Sequence, residues 1–104
     1  MNIYAFGYKD CVYFQDLCRQ HQNIIPIVIW DDFPVNRQKI HTSIVDFLRN
    51  QHIQKWIDFK QLEFTSPQII CCTKKYAVCI NGADAFNNIK NIGKYVHNRY
   101  TKYN

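Results

Sequence analysis

Cysteine is the residue that offers this chain chemistry, and spacing sorts the five that occur in its 104 residues. An odd number, without the paired C-x-x-C of a zinc site, fits reduced thiols better than a disulfide framework or a metal centre. Cys11 is placed for reactivity. It follows the short apolar run Ile3-Tyr4-Ala5-Phe6, closed by Gly7, and precedes Phe14, Leu17, Cys18 and His21, which recur at helical intervals. Asp10 is expected to cap that helix, with Cys11 in its first turn. There a thiolate would face unpaired backbone N–H groups and the positive end of the helix dipole, a setting that makes it a nucleophile. Lys9 adds to this field and Asp10 opposes it. On spacing alone, the competing reading of Cys11 is an ordinary small residue at a helix start.

The other four thiols read as packing. Cys18 stands two turns beyond Cys11 on the same helix face, about 10 Å along the axis by helical rise, which is outside disulfide reach. Cys71 and Cys72 are neighbours in a strand and must point to opposite faces, so at most one is expected to reach the core. Cys79, on the next strand, is close enough to pair across a hairpin with either, the alternative being a small buried thiol.

Positioning Cys11 requires a sheet. Ile24-Ile25-Pro26-Ile27-Val28-Ile29-Trp30 is a near-continuous apolar run, as expected of a strand covered on both faces, and Asp31-Asp32-Phe33-Pro34 ends it. Strand, helix and strand form a βαβ unit with its strands parallel. Asn36 is expected to cap a second helix carrying Ile40, Ile44, Val45, Phe47 and Leu48 on its buried face. Ile53, Trp56, Ile57 and Phe59 either extend this helix after a break or form a separate turn over the core, with His52 a structural histidine among them. Ile69 to Cys72 and Tyr76 to Ile80 have hairpin spacing around Thr73-Lys74-Lys75. Asn81-Gly82 then turns the chain into a last helix with Ala85, Phe86, Ile89, Ile92 and Val96 along one side. The expected fold is α/β, βαβ followed by ββα: a mixed four-stranded sheet with helices on both faces.

Composition bounds the rest. With 47% hydrophobic residues, three glycines and three prolines, the chain is that of a folded protein, and its length suits a single domain, residues 1–104. An extended middle region at about 31–64 and a basic C-terminal tail at about 94–104 are its departures from a minimal domain. No apolar run approaches the ~20 residues of a membrane span, and the first residues lack a signal peptide's basic flank and long apolar segment. A cytoplasmic location without membrane partners is therefore expected. The net charge is +5, and Lys90, Lys94, Arg99 and Lys102 gather at the end of the chain between Tyr95, Tyr100 and Tyr103. A solvated helix end accounts for this better than nucleic-acid binding, for which there is no recognisable motif.

With these elements in order, the chain resembles the glutaredoxin branch of the thioredoxin-fold family over residues 2 to 93. The resemblance rests on a first strand leading to Cys11-Val12-Tyr13-Phe14, on Thr65-Ser66-Pro67-Gln68 as a T-x-P segment before the third strand, and on Asn81-Gly82-Ala83-Asp84 as a G-G-x-D turn. It implies a cis Pro67 beside the active Cys11, with the Ser66 backbone pairing with bound glutathione. Asp84 would hold the γ-glutamyl amino group and Ala83 would give an N–H to its carboxylate. Lys9, Tyr13, Ser66, Pro67, Ala83 and Asp84 are thereby the glutathione contacts. The site also departs from the family. Phe14 replaces the second cysteine of C-P-Y-C, Val12 the proline, Tyr8 the basic residue three places before the cysteine, and Ala85 a second acid.

Two function classes follow. One is a monothiol, glutathione-dependent oxidoreductase in which Cys11 deglutathionylates mixed disulfides of protein thiols, with glutathione as co-substrate. The other is a thioredoxin-fold binding or structural protein that has lost turnover. An iron–sulfur cluster of the 2Fe–2S type, bridged between copies, is the weaker third option, because Val12 and Phe14 are bulky where the relatives that hold one have glycine and serine.

Overall fold

The computed structural model describes residues 1–30, 37–61 and 66–102. The Asn36 cap, the strand end at Asp31 to Pro34 and Thr65 lie outside the described residues. Strand β1 (Asn2–Tyr8) leads to helix α1 (Val12–Gln20), then β2 (Ile24–Trp30) and α2 (Arg37–Asn50). A short β3 (Lys55–Ile57) and a 3-10 turn at Phe59–Gln61 precede the hairpin of β4 (Gln68–Cys72) and β5 (Tyr76–Asn81). Helices α3 (Gly82–Asn88) and α4 (Ile92–Lys102) follow, joined by a 3-10 turn at Ile89–Asn91.

The strands make one mixed sheet in the order β2-β1-β4-β5-β3. β1 runs parallel to β2 and antiparallel to β4, β4 antiparallel to β5, and β3 parallel to β5. The sheet therefore has five strands where four were expected. The extra one comes from Lys55-Trp56-Ile57, neither a helix extension nor a turn, because Ile57 drops into the core while Lys55 and Trp56 stay half-buried.

Alternation along the strands feeds two cores. On one face Ile3, Ala5, Ile69, Cys71, Val78 and Ile80 meet Phe14 and Leu17 of α1, Ala85 of α3 and Ile92 and Val96 of α4. On the other, Phe6, Ile70, Cys72, Ala77 and Cys79 meet Ile44 and Leu48 of α2. Helices thus cover both faces, as the pattern implied. For the same reason both Cys71 and Cys72 are buried, each in its own core, where only one was expected to be.

Two local expectations are also corrected, on β1 and β2, and a third, on His52, gains its detail. β1 continues through Gly7 to Tyr8, with a register shift against β2 between those residues, the kind of irregularity that re-aims a strand end. β2 is an edge strand and leaves Ile25 and Val28 exposed, so its apolar run is not covered on both faces; Pro26 is tolerated there because an edge needs fewer N–H donors. His52 is exposed and sits at φ 58°, immediately beyond α2. Its N–H donates to the Arg49 carbonyl (3.0 Å) and that of Ile53 to the Leu48 carbonyl (3.1 Å), closing the helix end in a Schellman arrangement. Ile53 and Leu48 then share a core, which seals the turn.

Helix α4 takes the basic tail into the fold. Arg99 Nε and Nη2 lie 2.5 and 2.6 Å from the two carboxylate oxygens of Asp58, a residue also at φ 58°. Tyr100 stacks on Tyr76 of β5 with centroids 4.1 Å apart. Among the described residues, no helix is long and apolar enough to cross a membrane.

Candidate functional site

Cys11 forms the N-cap of α1, one position before the helix begins. Asp10 does not cap the helix, and Cys11 makes no side-chain capping bond either. The expected placement is thus shifted by one residue, because the chain enters α1 through a tight turn in which the Cys11 N–H donates to the Tyr8 carbonyl (3.2 Å). The Cys11 carbonyl already accepts from Gln15 N–H at 3.0 Å. The sulfur remains at the positive end of the helix, where backbone donors lack intrahelical partners.

The segment before β4 closes over the cysteine. Ser66-Pro67 is joined by a cis peptide bond, as the resemblance implied. Cys11 Sγ donates to the Ser66 carbonyl at 3.6 Å, and Ser66 Oγ accepts from the Tyr8 N–H at 3.4 Å. Ser66 therefore ties the end of β1 to the thiol. Gly7 makes this approach possible: a Cβ there would lie 2.5 Å from Phe14 Cδ2 and 2.5 Å from Ser66 Oγ. Phe14, at the second-cysteine position, is buried in the core. No thiol stands at that position to resolve a mixed disulfide.

A groove of about 310 Å³ runs beside this junction, lined by Tyr13, Ser66, Pro67 and Ala83 together with Asn81, Gly82 and Phe86. Gly82 opens α3 against Pro67, where a Cβ would stand 3.0 Å from the proline carbonyl oxygen. Asn81 caps α3: its Oδ1 accepts from the Asp84 N–H at 2.8 Å, and its Nδ2 donates to Asp84 Oδ2 at 3.2 Å. Of the expected ligand residues, Tyr13, Ser66, Pro67 and Ala83 meet in the groove. Asp84 adjoins Ala83 outside the lining, half-buried, with Oδ2 accepting from Asn81 Nδ2. Lys9 is exposed on the loop before α1, outside the lining, and its carbonyl accepts from Gln15 Nε2 at 2.8 Å. Cys11 is 4% exposed, so a partner sulfur must reach it past Ser66. In the sequence Phe86 is only part of a helix face. Its spacing carried no sign of the groove, which exists only once α3 folds against Pro67.

Tyr8 joins this site through its backbone, its N–H donating to Ser66 Oγ and its carbonyl accepting from the Cys11 N–H. Burial and the neighbouring Cys11 push the Tyr8 phenol above its ordinary value, with Asp10 adding to the rise. The remaining thiols differ in setting. Burial pushes Cys71 up to about 12 and Cys72 to about 11, and it raises Cys79 and Cys18 as well. All five cysteines are free, and Cys79 faces Ile70 across the hairpin instead of pairing with Cys71 or Cys72. A larger hollow of about 690 Å³ beside Trp56, Phe59 and Arg99 has no cysteine in its lining among the described residues.

No family model, no curated protein and no solved structure matches this chain.

Proposed function

We propose that the chain is a monothiol, glutathione-dependent thiol–disulfide oxidoreductase with a thioredoxin-like fold. One observation carries this reading: Cys11, at the N-cap of α1, has its sulfur against the Ser66 carbonyl of a cis Ser66–Pro67 bond, beside a groove that opens at the start of α3. The strand order β2-β1-β4-β5, with α1, α3 and α4 on one face and α2 on the other, supports the fold part, and β3 is an addition at the edge.

In this reading glutathione lies extended along Ser66, its backbone pairing there as an added strand. The α3 start, with the Ala83 N–H and the Asp84 carboxylate, takes the γ-glutamyl end. The Cys11 thiolate attacks the glutathione sulfur of a mixed disulfide. A Cys11–glutathione disulfide forms, the old S–S bond breaks, and the substrate leaves as a thiolate that takes up a proton. A second glutathione thiolate then attacks the bound glutathione sulfur, returning the electron pair to Cys11 and releasing glutathione disulfide. The substrate thiol is released, one free glutathione is oxidised and leaves joined to the glutathione taken from the substrate, and one protein thiol suffices.

The test is reduction of a glutathionylated peptide at millimolar glutathione. Wild type turns over and Cys11→Ser does not; equal background rates from both would leave the fold as a scaffold for binding. The 4% exposure of Cys11 favours that second reading, and the same comparison separates the two.

A further inference from the structure

We propose that Ser66 is a positioning residue whose hydroxyl stands in for a backbone acceptor, leaving the Ser66 carbonyl to face Cys11 and the bound glutathione. The register of the sheet leads to it. β1 and β4 pair antiparallel from Asn2 with Cys72 to Phe6 with Gln68, and the same frame, carried two residues further, sets Tyr8 opposite Ser66. β4 begins at Gln68, so the ladder stops short of that pair. The Tyr8 N–H still finds an acceptor on Ser66, the side-chain Oγ at 3.4 Å, while the Ser66 carbonyl accepts from Cys11 Sγ at 3.6 Å.

Three hydrogen bonds thereby close a ring through Tyr8, Ser66 and Cys11, the third running from the Cys11 N–H to the Tyr8 carbonyl at 3.2 Å. Tyr8 and Cys11 flank one turn, whereas Ser66 comes from 55 residues beyond Cys11 and enters the ring through two different atoms. Serine suits the position because its oxygen is one bond from Cβ and because Gly7 presents no side chain: a Cβ there would lie 2.5 Å from Ser66 Oγ. Alanine or valine at 66 would offer the Tyr8 N–H no side-chain acceptor, and the carbonyl would be drawn toward that donor and away from the sulfur.

The split between hydroxyl and carbonyl gains its purpose in the reaction cycle, and for that place it rests on the oxidoreductase reading. In the resting thiol the carbonyl accepts from the S–H. Once Cys11 is joined to glutathione its sulfur carries no hydrogen, that contact is lost, and the carbonyl can accept an N–H of the glutathione backbone lying beside it. The bond from Tyr8 N–H to Ser66 Oγ involves neither partner. It persists in both states and keeps the edge that the ligand pairs with from drifting when the S–H contact breaks.

Ser66→Ala removes the hydroxyl, and Ser66→Thr restores an acceptor at the same place. In mixtures of glutathione and glutathione disulfide, the Cys11 thiol exchanges with the disulfide to give the Cys11–glutathione adduct and one free glutathione. Mass spectrometry of the Cys11 peptide reads that equilibrium without any need for turnover. The constant should fall about fivefold in Ser66→Ala, the scale of one neutral hydrogen bond, and Ser66→Thr should recover most of the loss. With a glutathionylated peptide, KM should rise by a similar factor while kcat changes by less than about twofold. Equal adduct equilibria in wild type and Ser66→Ala overturn the inference, and so does a fall that Ser66→Thr leaves unrepaired, since the hydroxyl would then serve packing alone. A shifted equilibrium in a chain whose wild type shows no turnover upholds the inference and removes the oxidoreductase reading; a wild type that forms no adduct removes both. Should Ser66→Ala fail to fold, hydrogen exchange in the wild type decides: the Tyr8 amide should exchange slower than that of exposed Lys9 by about tenfold or more, and equal rates overturn the inference.

Discussion

Arg99 of α4 and Asp58, beyond the end of β3, meet side by side, both carboxylate oxygens accepting from the guanidinium at 2.5 and 2.6 Å. The Asp58 side chain is 3% exposed, and the fork offsets the cost of burying its charge. Arg99→Met should remove the guanidinium from a buried carboxylate and destabilise the fold by about 3 to 5 kcal/mol. Urea unfolding measures it; a loss under about 1 kcal/mol would place the pair in the class of solvated surface bridges.

Gly7→Ala should be among the more damaging single-methyl changes. The new Cβ meets the Phe14 ring and Ser66 Oγ together, both at 2.5 Å, and neither can retreat without moving α1 or the segment over Cys11. A loss of about 1 to 3 kcal/mol is expected from overpacking, with a larger fall in Cys11 reactivity than stability alone explains. Thermal melts alongside alkylation rates separate the two effects; a variant with wild-type values in both would mean that the junction yields.

Asn81 and Asp84 divide capping from ligand binding. Asn81→Ala removes the acceptor for the Asp84 N–H and should cost about 1 kcal/mol of stability. Asp84→Ala leaves that cap in place and should instead weaken glutathione binding by about 1 to 3 kcal/mol. Calorimetric titration with glutathione is decisive: unchanged affinity in Asp84→Ala would reduce the aspartate to a partner of Asn81.

The buried strand thiols make stability fall in alkali. Burial holds Cys71 up at about 12 and Cys72 at about 11, so both stay protonated in the folded chain while an unfolded cysteine ionises near its ordinary value. Their contribution is whole below about pH 8.5 and is lost as pH rises toward the folded values, at about 1.4 kcal/mol per unit for Cys71. Urea midpoints at about pH 7 and pH 10 test this, with Cys71→Ala expected to show the flatter dependence. Midpoints that agree at both pH values would refute it.

The four longer strands and the helices around them were legible because their apolar residues keep a clear period. Cys11 was legible because the period changes there from strand to helix. What escaped notice depended on distant partners. Lys55-Trp56-Ile57 is three residues long and acquires strand character only by lying along β5. Arg99 read as one cation of a tail because Asp58, which claims it, is 41 residues earlier. Tyr8 read as a departure from a ligand pattern, since the bonds that its N–H and carbonyl make to Ser66 and Cys11 exist only in the folded turn. Cys71 and Cys72 were assigned one core between them, although helices on both faces supply two.

In β4, Gln68-Ile69-Ile70-Cys71-Cys72, every residue is buried. Hydrophobicity normally chooses a strand's frame by penalising a slip of one residue, but here a slip trades one interior for another. The choice falls to the turn. Thr73 N–H donates to the Tyr76 carbonyl at 2.9 Å, while Thr73 Oγ accepts from the N–H groups of Lys75 and Tyr76 at 3.2 and 3.1 Å. The Thr73 N–H and hydroxyl, at the far end of the hairpin, thereby favour the reading frame that delivers Ser66 and Pro67 to the sulfur of Cys11.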